Sequence, residues 1–561
     1  MKKKYVISLI VIAVLAAGIF IYLQTRKLKD FEPQIIAKLQ SLVLEGSDSL
    51  YRLSIEGVEV DVVKARIGLV NASLEVDSSV LNKMDSAEGA PDDIFRISLH
   101  SLYIDGLDPA DLLDTKSIHL NVLNIEKPTI EVFHKKRNYN SDKRKDTTSL
   151  YQKLASQISS FSLDTLFVKD AGFTHHNLAT RDKKSELKDV SIHFNKILID
   201  ATTEYDTTRF LFAKEALISL KDYSFRTSDG SYFLKADAVS ISAPRNVMQI
   251  SGFSLKPAMS RAAFDKATGF RKEQYDITVS SISINRINWW DLLNEDGLTA
   301  DTMKISDSRV KVYLNRSLPA PPKTKVGSFP HQLLMKLKLP VKIDKIKVAG
   351  LDLHYEEYNP KSGKTAAIYF DSTSGSISNI TNQAVEIRKD QYMRVSAQTF
   401  FMHDAPLKSD FAFDLAYHKE GKFQVDMELT KIDKEQLEKV ANGLGLFSIQ
   451  SLNIKSLQAH IDGSDKLGKG NVLLLYDDLK IIPLKMDINS KGGLKQRNFQ
   501  GFIINSFVLK DKNPSGNEKP RNPTGQFVRE TDKSFFNLVW KTILVGILET
   551  VGANPKLAKS K

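Results

Sequence analysis

The sequence contains FRISLHSLYIDGLDPADLL at residues 95–113, and the same pattern returns as YDITVSSISINRINWWDLL at residues 275–293. In both, apolar residues alternate with polar ones, the alternation changes phase, and a short turn with Asp-Leu-Leu follows. Such alternation is typical of β-strands with one buried and one wet face. The two copies are offset by 180 residues without a gap, and apolar positions keep matching beyond the quoted stretches. The sequence therefore predicts a multi-strand module that is present twice.

The change of phase falls at the same place in both copies. It lies between Leu99 and Leu102 in the first copy and between Val279 and Ile282 in the second. An extra residue in a strand turns every later side chain to the other face unless a bulge absorbs it. We therefore expect both copies to bend at one shared bulge.

The turn after each strand carries matched polar residues. Asp108 and Asn288 are good helix N-caps, and Asp111 and Asp291 then fall in the first helical turn, near its positive end. Capping accounts for these repeated residues, so we do not interpret the aspartates as acids or metal ligands. What the repeat preserves is backbone architecture rather than reactive groups.

Period-2 alternation continues from Tyr51 to about residue 509, and helical patterns are few. The sequence predicts a mostly β protein in which an N-terminal transmembrane helix precedes an elongated antiparallel sheet with few short helices. The predicted segments are a cytoplasmic tip and transmembrane anchor (1–24), a helical stalk (25–50), first-copy β segments (51–134 and 149–270), second-copy β segments (275–316 and 329–510), a flexible linker (511–533) and an amphipathic C-terminal helix (534–552).

The N-terminus resembles a signal anchor. Lys2, Lys3 and Lys4 precede an uncharged apolar run at residues 5–23, which at about 1.5 Å per residue spans roughly 28 Å, close to a bilayer core of about 30 Å. A cleaved signal peptide is the alternative, but Ala16-Ala17-Gly18 is followed by further apolar residues rather than by mature sequence. The positive-inside rule leaves the lysines in the cytoplasm and exports the remaining chain.

Composition narrows the function classes. The formal net charge is +12, with basic and acidic residues interleaved, which is typical of a solvated surface rather than a nucleic-acid-binding stripe. The chain has no cysteine, so thiol catalysis, disulfides and cysteine-bound zinc are excluded. A long chain without a thiol suits an oxidising compartment.

The sequence offers no recognisable catalytic constellation. Phosphate-binding glycine loops, the HExxH pair and the GxSxG elbow do not occur. His175 and His176 are adjacent, and as neighbours on one strand they are expected to face opposite sides, which is unsuited to sharing one metal ion. We therefore expect a protein without enzymatic activity, cofactor or metal; an envelope hydrolase would need a nucleophile or acid–base cluster that the pattern lacks.

The predicted C-terminal helix is unusually apolar. Asn537, Lys541 and Glu549 form a narrow polar stripe, and large apolar side chains cover the rest. One interpretation is a helix that plugs the end of the sheet's apolar face; the other is docking to a membrane or protein partner. The candidate docking residues are Phe535, Phe536, Trp540, Ile543, Leu544 and Ile547.

An amphipathic sheet must cover its apolar face, either against a second sheet or with an apolar ligand such as lipid chains. Alternation alone does not distinguish a closed sandwich from an open groove. If the groove is open, its predicted lipid-contacting residues are Ile97, Leu99, Leu102, Ile104, Ile277, Val279, Ile282 and Ile284.

The whole layout resembles the AsmA-like family of Gram-negative envelope proteins, which includes TamB-type relatives. The resemblance rests on the lysine-flanked anchor, YRLSIEGVEVDVVKARIGLVNASLEVDS at residues 51–78, GKGNVLLLYDDLKIIPLK at 468–485 and the apolar tail. It implies a curled, taco-like β-groove in the periplasm, held at the bacterial inner membrane by a single span. It also implies roles in phospholipid transport or outer-membrane assembly, and no catalytic residues.

Two functions remain open at this point. The first is a non-enzymatic, membrane-anchored protein whose groove binds phospholipid acyl chains, with an envelope protein as a further partner at the C-terminal helix. The second is a membrane-anchored periplasmic scaffold that binds envelope proteins through closed β-sandwich domains and carries no lipid. Neither involves nucleic acid.

Overall fold

A computed structural model describes most of the chain. The described residues are 32–61, 66–105, 117–140, 151–152, 159–178, 182–203, 206, 208–227, 229–293, 297–440, 447–486, 494–496 and 509–558. The predicted transmembrane anchor at residues 5–23 and the cap residue Asp108 lie outside the described residues. No helix in the described parts of the chain has both the length and the apolar character needed to cross a bilayer.

The chain divides into two compact units. Unit 1 comprises Met1–Thr227 and Leu234–Ser251, and unit 2 comprises Ser228–Phe233 and Gly252–Lys561. Helices are short and few. They are α1 (Glu32–Gly46), α2 (Ser78–Ser86), α3 (Arg261–Thr268), α4 (Trp289–Leu293), α5 (Pro330–Met335), α6 (Ala384–Lys389), α7 (Lys434–Val440) and α8 (Phe535–Thr550), with single 3-10 turns at Asn138–Asn140, His418–Glu420 and Pro555–Ala558.

Unit 1 is built on strands that pair in sequence order. They are β1 (Tyr51–Asp61), β2 (Arg66–Val76), β3 (Asp93–Asp105), β4 (Ser117–Glu126), β5 (Thr129–His134), β6 (Ser160–Asn177), β7 (Asp182–Ile199) and β8 (Ala213–Arg226). Strands β9 (Tyr232–Ser242) and β10 (Val247–Pro257) have residues in both units. Strands β4 and β5 lie end to end between the same two neighbours. Both pair antiparallel with β3 and parallel with β6.

Unit 2 continues with longer strands. They are β11 (Gln274–Asn285), β12 (Leu298–Asn315), β13 (Val341–Asn359), β14 (Lys364–Thr381), β15 (Tyr392–Phe401), β16 (Ala405–Asp414), β17 (Phe423–Ile432), β18 (Phe447–Gly463), β19 (Leu467–Met486), β20 (Leu494–Gln496) and β21 (Thr524–Val528). From β13 to β19 each strand pairs antiparallel with the next, and β21 returns to pair with β19. The predicted mostly β fold with few short helices is confirmed.

One pairing in each copy differs from the predicted antiparallel arrangement. Strands β4 and β5 run parallel to β6, and β12 runs parallel to β13. A parallel pair needs a crossover of a dozen or more residues. The connections at residues 135–159 and 316–340, twenty-five residues each, supply it. The basic run at 135–148 and the proline-rich run at 317–328 therefore lie within crossovers of the two copies.

The duplication is reproduced in the strand register. Phe95 pairs with Val132, and at an offset of 180 Tyr275 pairs with Val312. The parallel pair obeys the same rule, since Leu123 is opposite Leu166 just as Met303 is opposite Ile346. Because a slip of one residue would turn each strand over, this agreement shows that the two copies share one backbone plan.

The repeat begins further upstream than the quoted stretches suggest. The Tyr51 hydroxyl accepts a hydrogen bond from the backbone N–H of Phe95, and the Tyr232 hydroxyl accepts one from the N–H of Tyr275, both at 3.2 Å. The helices that follow are also equivalent, because the side chain of Asp77 caps α2 and that of Ser260 caps α3. The offset is 181 for the tyrosines and 183 for the caps, rather than 180, so an ungapped comparison misses both.

The predicted bulge is not present where the alternation of β3 and β11 changes phase. Pairing of β3 with β2, β4 and β5, and of β11 with β12, shows no register shift at this level. Other strands have a residue in the left-handed region near the same level, and we call this set of positions the crease. The crease residues are Asn71, Lys127, Asp170 and Asp189 in unit 1, and Gly252, Asp307, Gly350 and Ser372 in unit 2.

A left-handed residue costs a non-glycine side chain about 1–2 kcal/mol, and asparagine and aspartate tolerate it best. Glycine takes two of the four positions in unit 2, namely Gly252 and Gly350. Neighbouring strands turn near the same level, and the pairs β6–β7, β7–β8, β13–β14 and β14–β15 have register shifts there. The apolar side chains therefore stay on one side of the sheet above and below the crease.

Helix α8 packs tightly against the last strands of unit 2. Ser534 caps its N-terminus, accepting from the N–H of Asn537, and Leu538, Val539 and Ile543 are buried. A Cβ placed on Gly546 would lie 2.5 Å from Cβ of Val472 in β19. Gly546 therefore allows α8 to approach β19 more closely than any residue with a Cβ would. This packing supports the interpretation that α8 covers the apolar face at this end of unit 2.

The first prediction follows from this close approach. In an open helix, Gly→Ala is favourable by about 1 kcal/mol, but overpacking a dense core costs about 1–3 kcal/mol. We expect Gly546→Ala to lower the thermal midpoint of unfolding by several degrees, measured by differential scanning calorimetry. The matched control is Gly46→Ala at the end of α1, where nothing lies within 4 Å, and it should leave the midpoint unchanged or raised. Equal behaviour of the two variants would contradict the packing explanation.

An aromatic cluster closes the N-terminal end of α8. Phe535 contacts Phe329, Phe413 and Phe423 with ring centroids 4.8–5.3 Å apart. His331 in α5 is 0 % exposed and lies 5.3 Å from the Phe413 ring, and neither of its ring nitrogens has a hydrogen-bond partner among the described residues. Burial, with the nearby His418, lowers the pKa of His331 to about 4.

The second prediction is an acid instability caused by His331. The unfolded chain binds this proton near pH 6.5 and the folded chain only near pH 4, so stability is complete above about pH 6.5 and falls as the pH drops toward 4. The difference corresponds to about 3 kcal/mol at most. We expect His331→Leu to flatten the decrease of the unfolding midpoint between pH 7.5 and 4.5.

The control for this prediction is the exposed His460. Its hydrogen bond to Asp426 raises its pKa, so its contribution is present at low pH and is lost as the pH rises through the folded value. His460→Gln should therefore not flatten the acid decrease. If His331→Leu also leaves the slope unchanged, His331 is not its source.

Candidate functional site: an apolar strip across the sheet of unit 2

A row of apolar side chains crosses unit 2 at right angles to its strands. Each residue is the direct cross-strand partner of the next, from β11 to β16. We call this row the apolar strip, and its residues are Ile284, Met303, Ile346, Ile377, Val395 and Phe411. All except Ile284 are half-buried rather than fully buried. The strip is thus an apolar surface that the protein covers only in part.

The opposite side of the same strands is polar. Lys345 and Lys347 flank Ile346 on β13 and are exposed, as is Arg394 beside Val395 on β15. Side chains alternate between the faces of a strand, so the sheet is amphipathic here. The half-buried state of Ile346 therefore belongs to the apolar face rather than to an edge of the sheet.

A second apolar row crosses the same strands seven residues from the strip, roughly 23 Å away along the strands and on the other side of the crease. Its members, all half-buried, are Ile277, Val310, Leu353, Phe370 and Phe401. Phe370 and Phe401 pack against the C-terminal core around Leu474 and Tyr476. Unit 2 therefore has half-buried apolar residues on both sides of the crease.

The strip is bounded at two sides by sealed residues. Toward one end of the strands, Ala300, Ile343 and Ile380 form a buried row. Beyond Phe411 the row continues through Val425 and Ile461, which are fully buried. The partly covered surface is therefore a defined stretch.

Helix α8 lies next to the Phe411 end of the strip. The Phe535 ring lies 6.1 Å from that of Phe411, the last strip residue. Of the residues predicted for docking, Phe535 and Ile543 are buried, Ile547 packs on the C-terminal core and Leu544 is half-buried. Phe536 and Trp540 are 64 % and 49 % exposed, one helical turn apart. Only these two present a large apolar surface to solvent.

The predicted lining residues divide into two groups. Leu102, Ile104, Val279 and Ile284 are buried, so their side chains already have contacts within the protein. Ile97, Leu99, Ile277 and Ile282 are half-buried. Their contact with lipid stays a prediction, with the half-buried members of unit 2 the most accessible to a ligand.

Four strip residues were not among the predicted ones: Ile346, Ile377, Val395 and Phe411. Their strands show the same alternation, which marks them as face residues. Only the sheet register places them in one row with Ile284.

Polar groups elsewhere in unit 2 have structural partners. The Tyr355 hydroxyl donates to Glu357 at 2.7 Å, and Glu357 in turn pairs with Arg316 at 3.0 Å. Burial, with Glu357 beside it, raises the pKa of Tyr355, so this phenol stays protonated and is not an activated base. The predicted cap is also present in unit 2, where Asn288 accepts from the N–H of Asp291 at 3.3 Å. Both arrangements account for their polar residues without a reaction.

Comparison with known proteins adds no assignment, because no protein-family model and no curated protein matches the chain.

Proposed function

We propose that the protein binds lipid acyl chains along the apolar strip and that it is a non-enzymatic, membrane-anchored envelope protein. The observation that carries the proposal is the half-buried state of strip residues from Met303 to Phe411, on a sheet whose other face is charged. Each methylene of an acyl chain that leaves water for such a surface contributes about 0.8 kcal/mol. Lipid acyl chains consist mainly of methylene groups, so they are the class of ligand that this surface suits.

The dimensions of the strip suit this ligand. Six strands at about 4.8 Å spacing give a row roughly 24 Å long. One leaflet of a bilayer has a hydrocarbon thickness of about 15 Å, half of the roughly 30 Å core. An extended acyl chain of a common phospholipid therefore fits within the strip.

The cellular setting follows from the N-terminus and the family resemblance. Lysines before the apolar run at residues 5–23 support a single span in the bacterial inner membrane with the bulk of the chain in the periplasm. The AsmA-like layout supports a role in phospholipid transport or outer-membrane assembly. In this proposal the strip shields acyl chains from water on the periplasmic side of the membrane.

The third prediction tests contact with lipid directly. A photoreactive diazirine amino acid at Ile346 should crosslink to phospholipid when the full-length protein is irradiated in native membranes, as detected by mass spectrometry of the protein adduct. The matched control places the same group at Lys347, the next residue on β13, whose side chain points to the polar face. Lipid adducts at both positions, or at neither, would reject the strip as the binding surface.

A complementary variant adds a charge to the strip. Ile377→Asp puts a carboxylate where an acyl chain would lie, and burying it against hydrocarbon is costly. We expect several-fold less phospholipid to co-purify with this variant than with Ser376→Asp on the other face. Retention of the far-ultraviolet circular dichroism spectrum separates loss of binding from loss of fold.

A protein-binding scaffold is the second candidate, favoured by the exposed pair Phe536 and Trp540. Aromatic residues are enriched where proteins meet. The scaffold proposed from the sequence relied on closed sandwiches, whereas the half-buried strip favours the lipid function.

The fourth prediction separates the two functions. Replacing Phe536 and Trp540 with serine leaves the buried face of α8 intact, so the fold should persist. If α8 docks an envelope protein, in vivo crosslinking to that protein falls several-fold while lipid crosslinking from position 346 is unchanged. Unchanged protein crosslinking would leave α8 with a purely structural role.

A further inference from the structure

Three strand ends in unit 1 bring two histidines and a carboxylate together. Asp93 opens β3 and His134 closes β5, and they are direct cross-strand partners. His175 lies on β6, where it is opposite Val132 and therefore diagonal to His134. One oxygen of Asp93 and one ring nitrogen from each histidine all lie within 4.8 Å of one another.

The contacts within this group are close already. Nδ1 of His134 and Oδ1 of Asp93 are 2.6 Å apart, and the His134 and His175 rings stack with centroids 6.0 Å apart. A tetrahedral ion at about 2.0–2.1 Å from each ligand separates its ligand atoms by a little over 3 Å. Small side-chain rotations are enough to reach that geometry from the observed one.

The donor set suits a divalent transition metal. Two imidazole nitrogens and one carboxylate oxygen form the kind of three-ligand set that holds zinc with a fourth position left for water. The side chains of Asp93 and His134 are 17 % and 31 % exposed, so an ion reaches them without local unfolding. Zinc is favoured over magnesium or calcium because those ions prefer oxygen ligands alone.

His176 provides an internal contrast. It faces the other side of β6, stacks on Phe133 at 4.8 Å and contacts Glu131 at 3.3 Å. His175 and His176 therefore face opposite sides of β6, as the alternation of side chains predicts. The proximity of His175 to His134 and Asp93 was not predicted from the sequence, since strand pairing alone brings the three residues together.

The second copy shows that the fold does not require these histidines. At the offset of 180, the counterparts of Asp93, His134 and His175 are Glu273, Leu314 and Tyr355. The strands around them keep the same register, with Gln274 opposite Tyr313 and Val312 opposite Tyr355. Nζ of Lys325 contacts the Glu273 carboxylate. The carboxylate is thus common to both copies, whereas the two imidazoles are specific to unit 1 and need an explanation other than backbone architecture.

We propose that Asp93, His134 and His175 bind a divalent metal ion of the zinc class. The ion replaces the direct hydrogen bond between Asp93 and His134 and ties the ends of β3, β5 and β6 together. The site is independent of the apolar strip, so its presence or absence says nothing about lipid binding.

The fifth prediction concerns zinc binding by the full-length protein in detergent after chelator treatment. We expect one equivalent of zinc to bind saturably at pH 7.5 in isothermal titration calorimetry. His134→Leu and His175→Tyr introduce the residues that the second copy carries at these positions, so both should fold. Each should weaken zinc binding at least tenfold, because loss of one of three protein ligands removes a large part of the binding free energy.

His176→Gln is the matched control and should bind zinc like the unaltered protein. X-ray absorption of the zinc-loaded unaltered protein gives a readout that does not depend on any variant, and it should show scattering from two imidazoles. Absence of saturable binding, fewer than two imidazoles in the spectrum, or equal loss in His176→Gln would each overturn the proposal.

Discussion

Neighbouring strands of this sheet must change phase together, and most other features of the structure depend on that constraint. A strand that passed alone through a left-handed residue would turn its later apolar side chains toward water and lose register with its neighbours. At the crease, Asn71, Lys127 and Asp170 lie at one level in unit 1, and Asp307 and Gly350 do so in unit 2. The backbone strain is shared by several strands, and the apolar face continues across it.

The constraint explains why a long apolar row can exist. Ile346, Ile377 and Val395 are direct partners across β13, β14 and β15, although the β14–β15 register shifts by one residue between Asp371 and Ser374. Ile377 lies on the Ser374 side of this shift, where the row crosses the strands without a polar residue. An uninterrupted apolar row has to be covered by something, and in unit 2 the chain itself covers the stretch beyond Phe411 by placing α8 there.

Much of this was predictable from the sequence because it depends on local pattern. Alternation marks Leu102 and Ile104 as face residues of a strand, the offset of 180 identifies the two copies, and the apolar run at 534–551 predicts α8. Helices α2 and α3 were not predicted, although Asp77 and Ser260 are good caps, because each helix is only about two turns long. A short amphipathic segment between strands gives too few turns for a clear period.

Long-range pairing lay beyond sequence pattern. The parallel pairing of β12 with β13 depends on a crossover whose proline-rich composition resembles a linker, so Ile346 could not be placed beside Met303. The same limit hid the group of Asp93, His134 and His175, which lie on three different strands. Side-chain alternation says which face a residue takes, but the partners it meets on that face are set by strand order.

The two copies show which parts of the module are under backbone control and which are free to differ. Three features recur in both copies, so the fold fixes them: the register, the crease, and the tyrosine hydroxyl that accepts an N–H near the start of β3 or β11. The histidines at the strand ends and the covering of the apolar face do not recur. Leu102 is buried where its counterpart Ile282 is half-buried, and His175 stands where the other copy has Tyr355. The hydrogen-bonded backbone, and not these side chains, holds the strands in place. The residue types at these positions can therefore differ between the two copies without a change of fold. The half-covered strip of unit 2 and the histidine-containing group of unit 1 are two such differences between the copies.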